Sequence, residues 1–223
     1  MDSRDTLTWR PQAFGRRNVR DITDPIIEPM WIGDRVIVHV LGERVEVVDT
    51  DGDPVTDEVD AIMAQLLAGI QSAMAVLDGY LTRQATPARG LAYLVGTELP
   101  TVGEMTSQML VGRGLRSRAL TKPQEERKQD LANPLAFVAV DLLALDDQPL
   151  FDIPLLERKR LLESVLGESE LVRRGAFIRP PVDTWLASWR SVGFRELAYK
   201  AANGRYQPGS TNDTWAIVRI PTT

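Results

Sequence analysis

One apolar run constrains the fold of this chain more than any other feature. After Asn133-Pro134, residues 135–145 (LAFVAVDLLAL) are apolar except for Asp141. An apolar run of this length that follows a turn signal predicts a strand, the strongest in the sequence. Pro154 then precedes LLERKRLLESVL, whose leucines recur at helical spacing, so an amphipathic helix should follow the strand.

The other predicted elements interleave strands with single helices. Alternation in 36–40 and 45–47 predicts a hairpin that turns at Leu41-Gly42-Glu43. Thr56 is positioned to cap a helix that runs to Ile70. A further helix should carry Trp185 and Trp189, and the remaining strands are expected near 75–83, 90–97, 171–178, 195–201 and 214–220. Without regular strand–helix–strand repetition, this order favours an α+β fold with mostly antiparallel sheets.

Composition excludes several classes of function. The formal net charge is -5, so the chain as a whole does not attract nucleic acid electrostatically. It contains no cysteine, which excludes disulfides, thiolate catalysis and cysteine-ligated zinc and fits a cytoplasmic protein. His39 is the only histidine, so histidine triads and multi-histidine metal sites are excluded as well; we expect it to be packed and hydrogen-bonded. No stretch has the apolar length of a membrane span.

Four segments resemble the adenylation domain of ATP-dependent DNA ligases, in the order found in that family. EPMWIGDRVIVHV (28–40) is similar to its "E-x-K-x-D-G-x-R" nucleophile segment, and VLDGYL (76–81) is similar to "L-D-G-E-L". Residues 137–166 resemble its buried strand and "P-L-x-E-R" helix, and residues 199–220 resemble the segment with "Y-x-P-G" and "W-x-K-x-K". The resemblance implies the nucleotidyltransferase (ATP-grasp-like) α+β fold, with two mostly antiparallel sheets and flanking helices.

The resemblance also indicates that the reactive groups of the family have been lost. In that family a lysine amine attacks the α-phosphate of ATP, carboxylates position a metal, further cations stabilise the phosphate charge, and an aromatic ring stacks on adenine. Here Met30 occupies the position of the nucleophilic lysine, and a thioether cannot form a phosphoramidate. Ile32 and Tyr80 occupy the positions of the family's carboxylates. Val140 occupies the position of the ring that stacks on adenine, and Ile217 that of a phosphate-binding lysine. We therefore expect no catalytic residue and no metal site.

Some polar positions of the family remain. The resemblance places Arg35 and Lys200 at the ribose and phosphate, and it adds Glu28 and Arg219 as nucleotide-binding candidates. Thr50 replaces a phosphate-contacting arginine, so we expect no cofactor and at most weak ATP binding. The former cleft either has collapsed into apolar packing, which we favour because relaxed polar sites usually refill by packing, or binds another apolar or aromatic ligand.

A second candidate surface is the basic segment 113–128. Its cations, which outnumber Glu125 and Glu126, are Arg113, Arg116, Arg118, Lys122, Arg127 and Lys128. Together with Arg16, Arg17 and Arg20 they could bind DNA phosphates. Charge runs of this kind are more often solvated loops, and this one lacks the interleaved aromatic residues of single-strand binders.

These observations define the expected organisation and function. We expect an irregular N-terminal arm (1–27) and one ligase-like domain (28–223) with a basic insertion at about 100–131. No OB-fold segment, which follows the adenylation domain in the family, is expected within these residues. The hypothesis is an inactive ligase-like interaction module that contacts DNA weakly or binds a protein partner, without a membrane role. The alternative is a nucleotide-binding enzyme that acts without a covalent lysyl-adenylate.

Overall fold

The computed structural model describes residues 6–84 and 133–221, and within these residues the chain forms three sheets and three α-helices. In chain order the elements are β1 (Ala13–Phe14), a 3-10 helix (Val19–Asp21), β2 (Pro25–Pro29), β3 (Asp34–Leu41), β4 (Arg44–Val48), α1 (Asp60–Gly69), β5 (Met74–Thr82), β6 (Ala136–Leu145), β7 (Gln148–Pro149), α2 (Leu155–Val165), β8 (Val172–Arg174), α3 (Asp183–Ser191), β9 (Glu196–Ala201), β10 (Thr211–Asn212) and β11 (Trp215–Arg219).

The larger sheet has six strands, with the antiparallel order β4-β3-β5-β6-β7 and β8 lying parallel beside β6. Its centre is the β5–β6 pair, in which Tyr80 lies opposite Val138 and Asp78 opposite Asp141. All residues of β6 before Leu145 are buried, as its apolar sequence predicts. The sheet therefore holds Tyr80, Asp78, Val140 and Asp141 within its buried centre.

The smaller sheet is antiparallel, with β9 between β2 and β11. Its register places Lys200 opposite both Ile26 and Trp215, and Ala198 opposite both Glu28 and Ile217. A two-residue parallel pair, β1 with β10, lies beside this sheet. The N-terminal segment is thereby joined to residues nearly two hundred positions later in the chain.

The helices pack on opposite sides of the larger sheet. On one side, α1 and α2 bury Ile62, Leu66 and Leu162 against valines and leucines of β3 and β5. On the other side, Trp189 of α3 packs in a cluster with residues of both sheets, including Val138 and Leu197. The second cluster contains three of the candidate positions predicted from the sequence: Met30, Tyr80 and Val140.

The α+β class and the antiparallel sheets are confirmed, whereas some predicted boundaries are wrong. The hairpin turns at Gly42, which has a φ of 62°, as predicted. The first helix is not capped by Thr56: it begins at Asp60, because Glu58 has a φ of 60° that a right-handed helix cannot include. Strand β8 ends at Arg174, earlier than expected. Strand β2 begins at Pro25, within the expected arm.

Two expectations concern residues that the structure does not describe. The strand predicted at 90–97 and the basic insertion at about 100–131 both lie outside the described residues. Among the helices that are described, none combines the length and apolar character needed to cross a membrane.

Candidate functional site

Three of the positions that the resemblance assigns to the reactive groups of the family lie in one apolar cluster. Tyr80 and Val140 are 8% and 3% exposed, and they pack in one cluster with Trp31, Trp189 and Phe194. Met30 is partly buried against the same cluster, and its backbone N–H donates to the carbonyl oxygen of Glu196 at 2.9 Å. The three positions expected to hold nucleophile, carboxylate and stacking ring are therefore joined by apolar packing.

The other two substituted positions face solvent. Ile32 is 60% exposed and Ile217 is 40% exposed, which makes them two of the three exposed large apolar side chains among the described residues. The backbone at Ile32 is held from both sides, since its N–H donates to Gln84 Oε1 (3.1 Å) and its carbonyl accepts from Thr82 Oγ1 (2.6 Å). Ile32 and Ile217 are consequently surface residues rather than part of the packed cluster.

A charged centre lies beside the apolar cluster, and Arg35 forms its first part. The Nε and Nη2 atoms of Arg35 donate to the two carboxylate oxygens of Asp78 at 3.0 and 2.7 Å. The remaining Nη1 donates to the backbone carbonyl of Gln12 at 2.6 Å, and the Tyr206 hydroxyl donates to Asp78 at 2.7 Å. Each of the three guanidinium nitrogens of Arg35 is thus hydrogen-bonded within the protein.

Lys200 forms the second part of the charged centre. Its Nζ lies 2.7 Å from Glu28 Oε2, and Lys159 Nζ lies 2.5 Å from the other oxygen of the same carboxylate. All three side chains are at most 5% exposed. The ammonium of Lys200 also lies 4.2 Å from the ring centroid of Trp215, a cation–π contact. Glu28 and Lys200, both nucleotide-binding candidates, therefore bind each other.

A third part of the charged centre is an ion pair between α2 and β6. Arg158 donates from Nε and Nη2 to the two oxygens of Asp141, at 2.8 Å each, and neither side chain is exposed. Its Nη1 donates to the carbonyl oxygens of Ile153 and Gly204. This arrangement satisfies the buried aspartate internally, as a buried charge requires.

Burial and pairing together shift the pKa values of these groups. Burial by itself would raise the pKa of Glu28, but the ammonium groups of Lys159 and Lys200 hold it below its ordinary value. The pKa of Asp78 is also lowered, because Arg35 outweighs the effect of burial. Burial lowers the pKa of Lys200 even though Glu28 opposes this shift. Burial raises the pKa of Tyr80 to about 12, so its hydroxyl stays protonated at neutral pH.

Arg219 and Thr50 lie apart from this centre. The side chain of Arg219 is 90% exposed, and its Nε lies 3.8 Å from a carboxylate oxygen of Glu196. Arg219 is the last residue of β11, whereas Trp215, which pairs with Lys200, is the first. The structure therefore does not bring Arg219 to Lys200, because strand register separates the two.

Thr50 borders an open depression of about 350 Å³, which is lined by Gly33, Asp34, Arg35, Asp49, Thr50 and Val55.

The described residues do not fit the metal-assisted chemistry of the family. Across 6–84 and 133–221, no three histidine or acidic side chains come together as a metal site. The carboxylates of the charged centre are each engaged by an arginine or by two lysines. The nucleic-acid candidates Arg113, Arg116, Arg118 and Lys122 lie outside the described residues.

Sequence reasoning did not identify several residues of the centre. Arg158 and Lys159 belong to the "P-L-x-E-R" segment and its next residue, so the unusual density of cations there was an available signal. Tyr206 belongs to the quoted "Y-x-P-G" segment. Gln12 and Phe14 lie in the expected irregular arm, and nothing in their sequence indicates contact with Arg35.

Comparison with known proteins assigns the family. The family described as "ATP dependent DNA ligase domain" matches residues 17–218. A DNA ligase of Thermococcus onnurineus is 25% identical over 196 residues, which cover 86% of this chain and 31% of the relative. A DNA ligase of Archaeoglobus fulgidus is 25% identical over 205 residues, covering 90% of this chain and 33% of the relative. The chain thus spans about a third of the length of these relatives.

Solved structures support the same fold. The ligase domain of LigD from M. tuberculosis superposes with a TM-score of 0.61 at 19% identity, covering 96% of this chain and 60% of that one. A mycobacterial DNA ligase D complexed with ATP and MES gives 0.59 at 20% identity, covering 94% and 59% of the two chains. The predicted nucleotidyltransferase fold is confirmed by this likeness. Because the family match extends over residues 17–218, which is most of this chain, the chain belongs to the ATP-dependent DNA ligase domain family.

Proposed function

We propose that this chain is a catalytically inactive member of the ligase family that acts as an interaction module. The observation that carries the proposal is the packing of Met30, Tyr80 and Val140 in one apolar cluster with Trp31 and Trp189. An adenylation site needs an amine, metal-positioning carboxylates and an open slot for the base. Apolar side chains in close contact supply none of these.

The described lysines do not substitute for the missing amine. Lys159 and Lys200 are both buried, and each is paired with an oxygen of Glu28. A nucleophilic lysine must present a free, deprotonated amine to the α-phosphate. Neither amine is free, because the carboxylate of Glu28 engages both, so these two lysines support a structural role.

The decisive test is self-adenylation. The protein is incubated with α-labelled ATP and Mg²⁺ or Mn²⁺, and covalent label is measured on a denaturing gel, with an active DNA ligase as the positive control. We expect no labelled protein at times when the control is labelled stoichiometrically. A stoichiometric labelled band would refute the proposal.

DNA is the partner class that the family suggests, and a protein partner is the alternative. Arg16, Arg17 and Arg20 are exposed on the arm and could contact phosphates, whereas Ile32 and Ile217 offer exposed apolar contacts for a protein. A cytoplasmic location, which the absence of cysteine favours, is part of the same proposal.

A second candidate function is nucleotide binding without a covalent lysyl-adenylate. One observation favours it: Arg35 and Lys200 both lie 5.9 Å from the ring centroid of Phe14. Against it, Val140 offers no ring for the base, and base–aromatic stacking contributes about 1–3 kcal/mol in single-strand binders. Calorimetry with ATP separates the two functions, since micromolar or tighter affinity would favour the enzyme and replace the module.

A further inference from the structure

The N-terminal arm crosses the charged centre and makes specific contacts there. The backbone carbonyl of Gln12 accepts from Arg35 Nη1 at 2.6 Å, and its N–H donates to the Tyr206 hydroxyl at 3.0 Å. Its side-chain Oε1 accepts from the N–H of Gln207 at 2.5 Å, and the residue is fully buried. Gln12 thus accepts from the one guanidinium nitrogen of Arg35 that does not donate to Asp78.

Phe14 covers the neighbouring cations. Its ring centroid lies 5.9 Å from the Arg35 guanidinium, 5.9 Å from Lys200 Nζ and 5.4 Å from the ring of Trp215. Phe14 itself is only partly buried, so it forms the layer between solvent and Lys200. An anion that approaches these two cations from this side must displace the ring.

Around β1 the arm is attached to the segment that contains β10: Ala13 N–H donates to the carbonyl oxygen of Ser210, and Gly209 N–H donates to that of Arg10, each at 2.9 Å. Strand β1 pairs with β10 over only two residues, and Gly15 N–H donates to the carbonyl oxygens of Asn212 (3.1 Å) and Trp215 (2.9 Å). Ala13 between these contacts is exposed. Segments with short pairing and exposed backbone open at a lower free energy than the core. Displacing the arm breaks these contacts but none of the strand pairs of the two larger sheets.

We propose that residues 12–15 form an intramolecular strap that closes the centre of Arg35 and Lys200 to anionic ligands. When the strap is in place, Gln12 engages the guanidinium nitrogen of Arg35 that Asp78 does not, and Phe14 shields Lys200. When it is displaced, that nitrogen and the Lys200 ammonium become accessible from this side and can bind a polyphosphate group. The inference goes beyond the proposed function, because it concerns access to the centre and holds whether or not the chain adenylates itself.

Gly15 provides a variant that displaces the strap. A Cβ at this position would meet Asp213 Cα at 2.7 Å and the carbonyl oxygen of Asn212 at 2.8 Å. Both are backbone atoms, so Gly15→Ala must separate the strap from residues 212–213. Phe14→Ala is a second variant that removes the covering ring without this clash. Ala13→Ser, at an exposed neighbouring position, is the matched control.

The readout is acetylation of Lys200 by acetic anhydride in the full chain, located and timed by peptide mass spectrometry. We expect the rate at Lys200 to rise about tenfold in Gly15→Ala and in Phe14→Ala, the change that corresponds to losing one or two net hydrogen bonds or their equivalent packing. Ala13→Ser should behave as wild type. Lys159 serves as an internal comparison, since it pairs with the other oxygen of Glu28 and contacts the ring of Phe177.

Two results would overturn the inference. An unchanged Lys200 rate in both variants would show that the strap does not limit access. An equal rise at Lys159 and Lys200 would indicate general unfolding instead of displacement of the strap.

The anionic ligand is tested with pyrophosphate, which should slow acetylation of Lys200 in Gly15→Ala and have no effect in wild type. Absence of protection in the variant would refute the anionic-ligand part.

Discussion

Arg158 and Asp141 form a fully buried pair, joined by two hydrogen bonds of 2.8 Å between α2 and the central strand β6. The same aspartate accepts from the backbone N–H of Leu142 at 2.9 Å. Position 141 therefore belongs to an internal network that ties a helix to the larger sheet. Val140, the residue before Asp141 in the same strand, packs instead in the apolar cluster of Trp31 and Trp189.

The first prediction concerns the stability that depends on this pair. Replacing Arg158 with Met leaves the carboxylate of Asp141 buried without its partner, so the free energy of unfolding should fall by about 3–5 kcal/mol. Urea denaturation followed by circular dichroism measures the change. The matched control is Arg160→Met on the same helix, where an exposed pair with Glu157 should contribute about 0–1 kcal/mol. Equal losses in the two variants would show that burial of the pair is unimportant.

The second prediction concerns pH and His39. Burial, with a smaller effect of Arg10, lowers the pKa of His39 to about 4, and Thr6 Oγ1 lies 3.2 Å from its Nδ1. The unfolded chain then binds the proton more readily than the folded one, so stability is lost as the pH falls from about 6.5 toward 4. We expect the free energy of unfolding to fall by about 2 kcal/mol between pH 7 and pH 5.

The control for this prediction is His39→Gln, which removes the titrating ring. Few carboxylates change protonation above pH 5, so the variant should show a much flatter dependence over the same range. Urea denaturation at pH 5, 6 and 7 compares the two proteins. The same slope in wild type and variant would assign the pH dependence to other groups.

The sequence predicted the central elements because their patterns are local. The run at 135–145 and the alternation on both sides of Gly42 each determine burial and pairing within a few residues. The start of α1 was mispredicted because the left-handed conformation of Glu58 leaves no sequence signal. The strand that begins at Pro25 was missed for a related reason: it is defined by pairing with β9, in which Pro25 lies opposite Ala201.

The site was predictable only as far as the resemblance reached. It located Met30, Tyr80 and Val140, and their apolar character was already visible in the sequence. It also singled out Arg35 and Lys200, but not that Asp78, Glu28 and Gln12 bind them. Such partners come from distant strands and from the arm, so they depend on the tertiary fold and not on local spacing.

The third prediction is that Met30→Lys alone does not restore self-adenylation. The new amine would still lack the carboxylates, the stacking ring and the cation that act with it, and groups of one catalytic unit are strongly non-additive. We expect no covalent label from α-labelled ATP, as for wild type and for the isosteric control Met30→Leu. Tyr80→Glu should in addition destabilise the protein, because it places a carboxylate in an apolar cluster. A burst of covalent adenylate from Met30→Lys would contradict this reasoning.

The fourth prediction concerns DNA and the basic segment 113–128. Binding through this segment should be independent of sequence and fall steeply with salt, because each neutralised phosphate releases counterions. Replacing Arg113, Arg116 and Arg118 with alanine should reduce the slope of log affinity against log salt by roughly one unit per lost contact. Fluorescence anisotropy with a labelled duplex measures this slope, and Arg44→Ala, an exposed arginine on β4, is the control. Since the net charge is -5, we expect weak binding at most. If wild type binds no DNA even at low salt, a protein partner becomes the leading candidate.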